Sequence, residues 1–216
     1  MRPGVESGDV VDHVRHAIFE GDFVPGQRLI EVDLSEHFHA SRAAVRSALV
    51  QLAGEGLVER VQNRGARVRA VSLDEAIEIS EVRMVVEGLC AAKAAQRATD
   101  DDLATLRAIG TDMRAAVERG DVVGYSELNR RLHATVRAVA GQSVAEGVLE
   151  RLRGQNVRHQ YRLALLPGRA SVSLPQHLEI VDAICARDAD RAEAAMRAHL
   201  ASVIETLPRV GDPSGA

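Results

Sequence analysis

Four residues in the second half of the chain have the types and spacing of a metal site. Asn129 and His133 lie four positions apart in a segment that predicts a helix, so their side chains share one face. His177 and His199 are 22 residues apart, on two successive helices expected to run antiparallel, which brings them to a similar depth. Three imidazoles and one oxygen suit a divalent transition metal such as zinc, nickel or manganese. The alternative interpretation is a polar pocket without a metal.

A lone histidine is more often a core or surface residue than a metal ligand. We interpret the other histidines as ordinary core or surface residues: His13, His16, His37, His39 and His159. A three-histidine site with an open position would also suit a hydrolytic zinc enzyme, which needs a general base beside the metal. The sequence contains no HExxH motif and no second carboxylate at a matching spacing. A metal-dependent hydrolase is therefore kept only as the alternative function.

A second group of residues, near the N-terminus, suits nucleic-acid binding. Arg42 and Arg46 are one helical turn apart and project from the same end of a predicted helix. An arginine can bond a guanine edge bidentately, which gives about 1–3 kcal/mol of base discrimination. Ser41 precedes them as the expected N-cap and offers a hydroxyl to a phosphate. Arg64 and Gly65 occupy the tip of a predicted hairpin, where a wing would enter the minor groove.

The charge distribution supports this interpretation better than the total charge does. The chain carries a net charge of −4, which does not indicate a nucleic-acid partner. Between Arg42 and Arg69, however, six arginines face only two glutamates, so positive charge is concentrated there. Two alternatives remain for these arginines: a solvated helix face, or a winged helix that binds protein rather than DNA.

The elements that carry the arginines are predicted to form a winged helix-turn-helix over residues 8–72. Apolar periodicity predicts helices near 10–20, 31–38 and 41–54. Two short strands, 57–60 and 66–71, flank a turn at residues 63–65. Three helices followed by a β-hairpin wing have the order of a DNA-reading domain.

The rest of the chain is predicted to be all-helical, so the fold class is mainly α. Helices are expected near 73–98, 101–119, 121–140, 143–165, 171–187 and 189–206. Their short connections imply an antiparallel bundle over 73–207, followed by a flexible tail at 208–216. The aromatic fraction is only 2%, so Ala, Val and Leu must fill the core.

Compartment signals point to the cytoplasm. No apolar run approaches the roughly 20 residues that cross a bilayer, and the N-terminus has no signal-peptide pattern. Cys90 and Cys185 lack metal-like spacing and are expected to be buried free thiols in a reducing environment.

Several short motifs between Ile18 and Val71 follow one another in a characteristic order. They are Pro25-Gly26-Gln27-Arg28-Leu29, Leu34, Ser41-Arg42-Ala43-Ala44-Val45-Arg46-Ser47-Ala48-Leu49, Leu52, Glu55-Gly56-Leu57-Val58 and Asn63-Arg64-Gly65-Ala66-Arg67-Val68. This stretch resembles the winged helix-turn-helix of the GntR family. The resemblance implies DNA contacts from Arg28, Ser41, Arg42, Ala43, Arg46, Arg64 and Gly65. Ala43 stands where the family commonly has a polar residue, which leaves the operator sequence open.

The second half has looser motifs of its own. They are Arg83-Met84-Val85-Val86-Glu87, Asn129-Arg130-Arg131-Leu132-His133, His177, Ile180, Ala183-Ile184, Asp188, Ala192, Met196 and His199-Leu200. Together they resemble the FCD ligand domain of the FadR subfamily of GntR regulators. The resemblance implies a metal held by Asn129, His133, His177 and His199, with a small organic acid as effector.

An arginine is expected to receive the carboxylate of the effector. Arg83 is the first candidate because of its place in the family pattern, although Glu87 follows one turn later and offers it a structural ion pair instead. Arg158 and Arg162, one turn apart, are further candidates.

The resemblance implies a regulator rather than an enzyme. We expect a homodimer whose two reading heads match the two half-sites of a palindromic operator on double-stranded DNA. The effector would act by binding the DNA-competent and DNA-incompetent arrangements differently, through the first bundle helix. Repression relieved by ligand is the commoner outcome in the family, so a repressor is expected.

Overall fold

A computed structural model describes residues 7–61, 65–164 and 166–210. Side chains at several positions of the helix around residue 158 lie outside this description, Arg158 and Arg162 among them. The chain falls into two compact units that divide between residues 72 and 73, and the segment 151–158 groups with the first unit. Within the described residues, no helix is long and apolar enough to span a membrane.

The first unit contains three helices and a small sheet. The helices are α1 (Ser7–Glu20), α2 (Glu31–His37) and α3 (Arg42–Gly54), and the strands are β1 (Arg28–Leu29), β2 (Val58–Arg60) and β3 (Ala66–Val68). Helix α3 begins where the sequence predicts, because the Ser41 hydroxyl accepts a hydrogen bond from the Ala44 amide at 3.1 Å. Its apolar stripe is fully packed into the core of this unit: Val45, Ala48, Leu49 and Leu52.

The sheet has one strand more than the predicted hairpin. Its order is β1-β3-β2 with all pairs antiparallel, and Leu29 of β1 lies opposite Ala66 of β3. A two-residue strand is too short to produce a periodic signal, which is why sequence reasoning missed β1. The predicted strand 66–71 was too long, since β3 ends at Val68.

In the described residues after 72 there are six α-helices. They are α4 (Leu73–Arg97), α5 (Asp100–Glu118), α6 (Val122–Ala140), α7 (Ser143–Ala164), α8 (Arg169–Cys185) and α9 (Ala189–Thr206). Residues 151–158 of α7 are the part that groups with the first unit. Capping residues determine several of the helix boundaries. Thr99 and Asp102 form a reciprocal capping box at α5, and the Asp121 and Asp188 carboxylates cap α6 and α9. Gly141 ends α6 in a left-handed conformation with φ of 60°.

Small residues allow the helices of the second unit to pack closely. Helix α4 packs against α6, α8 and α9, and contributes Ala91, Ala94 and Ala95, each with 0% exposure. This agrees with the prediction that alanine and aliphatic residues replace aromatics in the core. The start of the predicted flexible tail is ordered: Leu207–Val210 form a 3₁₀ turn with Leu207 buried, because Leu207 packs as a core residue. Residues 211–216 lie outside the described residues.

Candidate metal centre and nucleic-acid interface

Three helices bring three histidines together inside the second unit. His133 lies on α6, His177 on α8 and His199 on α9, and one nitrogen of each lies within 4.8 Å of the other two. His177 and His199 are almost fully buried, at 1% and 4% exposure, and His133 is half-buried. We call these three residues the histidine cluster.

Each histidine of the cluster has its Nδ1 atom bonded to a partner outside the cluster. The Nδ1 of His133 lies 2.6 Å from Glu87 Oε2, and the Nδ1 of His199 lies 3.0 Å from Gln176 Oε1. Because both partners are acceptors, these two Nδ1 atoms carry the proton and donate it.

The third histidine is oriented by a longer chain of hydrogen bonds. The Nδ1 of His177 lies 2.8 Å from the Tyr125 hydroxyl, which donates to Ser173 Oγ at 3.3 Å. Ser173 in turn donates to the Arg169 carbonyl at 2.7 Å. In the arrangement in which the Tyr125 hydroxyl donates to Ser173, its oxygen accepts from the Nδ1 of His177, and the Nε2 of His177 then carries no hydrogen.

In this arrangement each neutral imidazole leaves its Nε2 atom without a hydrogen, and the three histidines can offer these lone pairs to one ion. The Nε2 atoms of His177 and His199 are 3.2 Å apart, yet neither carries a proton to share with the other. Two facing lone pairs repel each other unless a cation or a proton lies between them. This arrangement is chemically suited to a metal ion.

An oxygen ligand is available from the fourth predicted residue. The Asn129 Oδ1 atom is buried and has no hydrogen-bond partner among the residues described. It lies one turn before His133 on α6, on the same face. An unpaired buried acceptor of this kind is costly unless something outside the protein satisfies it.

Arg83 and Glu87 stand behind the cluster as an ion pair. The guanidinium of Arg83 donates to Glu87 Oε1 at 2.6 and 2.9 Å. The other carboxylate oxygen, Oε2, accepts the hydrogen bond from His133 Nδ1. Burial alone would raise the pKa of Glu87, but the charge of Arg83 and the hydrogen bonds from Arg83 and His133 outweigh it and lower that pKa well below its ordinary value. The structure therefore places Arg83 in the structural pair that the sequence suggested as the alternative to effector binding.

Burial keeps the inner histidines neutral. It lowers the pKa of both His177 and His199 well below the ordinary value, and their neighbours, including Arg169, lower it further. Neutral imidazole is the form that ligates a metal. Burial also raises the pKa of Tyr125 to about 12, so its hydroxyl remains protonated and can donate to Ser173.

Sequence reasoning missed three polar residues that complete the site. Tyr125 lies one turn before Asn129 on α6, Arg169 lies two turns before His177 on α8, and Gln176 bonds His199. The signal was present as polar residues at i, i+4 and i+8 on α8, namely 169, 173 and 177. Such a stripe can be distinguished from a solvent-exposed face only when it is known which side of the helix packs into the bundle.

In the first unit the residues predicted to contact DNA lie at the start of α3. Ser41, Arg42 and Ala43 are all exposed there. Arg46 is exposed as well, but it forms an ion pair with Glu31 of α2, with Nη2 and Oε2 separated by 2.8 Å. Glu31 consequently has a pKa below its ordinary value, with Arg46 as the main cause.

Arg28 and Arg46 line the same cleft. It has a volume of about 710 Å³ and is bounded also by Arg60 and Gly65. Gly65 adopts a φ of +83°, and a Cβ atom there would lie 2.7 Å from the Leu29 carbonyl oxygen. The close approach that requires glycine is thus to the neighbouring strand. Arg64 lies outside the described residues.

A winged helix-turn-helix with exposed arginines and a separate helical domain define a class of protein, the DNA-binding transcriptional regulators. Residues 6–68 match the gntR family of bacterial regulatory proteins, and residues 78–202 match the FCD domain. The chain belongs to the GntR family, among the members that carry an FCD domain.

Known relatives agree with this assignment. The chain is 30% identical over 186 residues to the HTH-type transcriptional repressor RspR of Escherichia coli K12, covering 86% of this chain and 82% of that protein. It is 27% identical to the HTH-type transcriptional regulator LutR of Bacillus subtilis 168, covering 88% and 95%. The solved structure of E. coli McbR/YncC has the same fold, with a TM-score of 0.78 at 21% identity over 94% of this chain and 97% of the other. Regulators of this family bind DNA and are not enzymes, so the hydrolase alternative finds no support.

Proposed function

We propose that this protein is a ligand-responsive transcriptional repressor of the FadR type, whose helical domain binds a divalent metal and a small carboxylate effector. One observation carries this proposal: one nitrogen of each of the three histidines lies within 4.8 Å of the other two, and every Nδ1 atom has a partner outside the histidine cluster. The relative RspR is a transcriptional repressor, which favours repression as the direction of control.

The metal ligands in this proposal are His133, His177, His199 and Asn129. The separation of 3.2 Å between two Nε2 atoms suits two nitrogens that each lie about 2.1 Å from one ion. Zinc, nickel and manganese all accept imidazole with an oxygen ligand. Such an ion supplies a Lewis-acidic position for a carboxylate oxygen. Glu87, Tyr125 and Gln176 hold the imidazoles in orientation for it.

The DNA contacts in this proposal come from the start of α3 and from the wing. Arg42 and Arg46 reach base edges or phosphates, and Ser41 and the exposed face of Ala43 approach the backbone. Arg28 lines the same cleft as Arg46. Arg64 and Gly65 remain the predicted wing contacts. Two such heads in a homodimer would match a palindromic operator.

Effector binding is proposed to act on α4. This helix begins at Leu73, directly after the first unit in the sequence, and it contributes Glu87 to the site through His133. A ligand that alters the position of His133 therefore alters the environment of Glu87 and Arg83. Only a difference in its affinity for the two states can change DNA binding. Arg158 and Arg162 remain candidate effector contacts.

The test begins with metal-loaded protein and random duplex DNA. We expect enrichment of a palindromic sequence, followed by a rise in the Kd for that sequence when carboxylates are titrated. Metal content measured by mass spectrometry should be one ion per chain, and His199→Ala should abolish it while the control His16→Ala, at an exposed histidine, should not. Binding to the selected duplex no tighter than to a polyanion at matched salt would refute DNA recognition.

A further inference from the structure

One buried cation in the described part of the second unit forms no ion pair. Arg169 is the first residue of α8 and is only 8% exposed. Its Nη1 atom donates to the hydroxyls of Ser202 at 3.1 Å and Thr206 at 3.3 Å, both neutral acceptors. Its Nη2 atom is buried and has no hydrogen-bond partner in the described part of the chain. No described carboxylate forms an ion pair with this guanidinium.

The local backbone makes this cation still less favourable. Arg169 lies at the N-terminal end of a 17-residue helix, where the helix dipole is positive. The preceding Gly168 provides no side-chain cap for the free amides. Burial lowers the pKa of Arg169 below its ordinary value, and among the described residues only Tyr125 acts against that effect. A buried charge without a paired counter-charge is costly, and an anion bound beside it would remove that cost.

Arg169 belongs to the same polar interior as the histidine cluster. On α8 its side chain shares a face with Ser173 and His177, and the charge of Arg169 acts on both His177 and His199. Its hydroxyl partners follow His199 on α9 by three and seven residues, which is roughly 5–10 Å along the helix axis. The guanidinium is therefore about one to two helical turns from the histidine cluster.

The charges around this interior do not balance. Glu87 is compensated by Arg83, the inner histidines are neutral, and Asn129 contributes no charge. The positive charges of Arg169 and of a divalent ion then remain uncompensated. A monocarboxylate would compensate only part of this charge and would leave the Arg169 Nη2 atom without an acceptor.

We infer that the effector is a short dicarboxylate, with one carboxylate at the metal centre and the second held by Arg169. This inference rests on the proposed function and specifies its ligand. Arginine suits the role because its planar fork bonds a carboxylate bidentately. The free Nη2 atom and the positive end of α8 would both act on the second carboxylate.

The decisive comparison uses two acids of equal chain length, succinate and butyrate. Calorimetric titration of the metal-loaded protein should show succinate binding at least about tenfold more tightly, since a hydrogen-bonded charge pair in a desolvated site is worth that much or more. In Arg169→Met the preference for succinate should fall to near unity. Metal content, measured separately, should not change. The matched control is Arg197→Met, at a half-exposed arginine of α9 that pairs with Glu193, and it should retain the preference.

Two further variants guard against a merely structural role. Arg169→Lys keeps the charge and should retain part of the preference for succinate. Asn129→Asp adds a negative charge beside the ion and should weaken succinate more than butyrate.

The possible failures are distinguishable. Equal affinity for succinate and butyrate, or an undiminished preference in Arg169→Met, overturns the dicarboxylate inference and leaves the proposed function intact. Absence of binding by either acid to metal-loaded, operator-binding protein overturns the inference and the proposed carboxylate effector together.

Discussion

At the scale of single residues, the chemistry of the histidine cluster depends on the residues that are hydrogen-bonded to its imidazoles. The Nδ1 atom of each imidazole is hydrogen-bonded to Glu87, Tyr125 or Gln176, which leaves the Nε2 atom to bind a ligand. These partners fix the tautomer and the orientation of the ring before any ligand arrives. Their loss should therefore be visible in metal affinity even though they do not touch the ion.

Replacing Tyr125 with phenylalanine tests this dependence with minimal change in shape. The variant removes the acceptor for His177 and should lower metal affinity about 10–100-fold, the usual effect of losing such a partner. Competition titration with a chromogenic chelator gives the affinity, and circular dichroism checks the fold. An unchanged affinity would mean that His177 needs no orienting partner.

The buried histidines also predict how stability depends on pH in metal-free protein. Their pKa values are lowered in the folded state, whereas unfolded histidines take up a proton near pH 6.5. Below about pH 6.5 the unfolded chain thus binds more protons, and the free energy of unfolding should fall steadily as the pH drops toward the lowered folded pKa values.

Urea denaturation in chelator, between pH 7.5 and 5, measures this loss. His199→Gln should reduce the slope of unfolding free energy against pH, and His16→Gln is the matched control at an exposed histidine. A stability that rises on acidification would contradict the burial of neutral imidazoles.

At the scale of elements, the cap of α3 stabilises the helix end that carries the predicted DNA contacts. Ser41→Ala removes the hydrogen bond to the Ala44 amide and should cost about 1 kcal/mol of unfolding free energy. Denaturant unfolding measures this value, with Ser47→Ala, an exposed serine within the same helix, as the control. Equal stabilities for the two variants would show that the cap contributes nothing.

Loss of the ion pair between α2 and α3 is expected to strengthen DNA binding. Glu31 neutralises Arg46 and lies near the charges of Arg42 and Arg60. Glu31→Gln should strengthen binding to any duplex, since Arg46 is released and a carboxylate no longer repels phosphate. Anisotropy titrations over a range of salt concentrations should show a steeper salt dependence, while Glu36→Gln on the same helix serves as the control. Weaker binding would mean that Glu31 orients Arg46 for its contact.

These elements also show what the sequence can and cannot predict. Helices were placed within a few residues because serine, threonine, aspartate and glycine at their ends have short-range effects that sequence displays directly, as at Ser41 and Gly141. The histidine cluster was predictable because imidazoles are few and their spacing is informative. Arg169 was not, since its significance lies in a buried Nη2 atom that has no acceptor among the described residues, which only three-dimensional packing reveals.

At the scale of the whole molecule, the proposed homodimer makes a geometric prediction. Two heads related by a two-fold axis require half-sites at one fixed rotational phase on the duplex. Inserting about 5 base pairs between the selected half-sites, half a turn of DNA, should reduce affinity to that of a single half-site. Electrophoretic mobility shifts measure this loss, and base changes outside the half-sites provide the control. Unchanged affinity would indicate two independent monomers.

The glycine beside β1 has a consequence for re-engineering the protein. Because the Leu29 carbonyl leaves no room for a side chain at position 65, that position cannot vary without rebuilding the sheet. Ser41, Arg42 and Ala43, by contrast, project from a helix whose opposite face is anchored in the core. In a library selected for new target sequences, diversity should accumulate at 42 and 43, whereas every surviving clone should keep Gly65. The residues that determine the target sequence can therefore be exchanged, whereas the glycine that the sheet requires cannot.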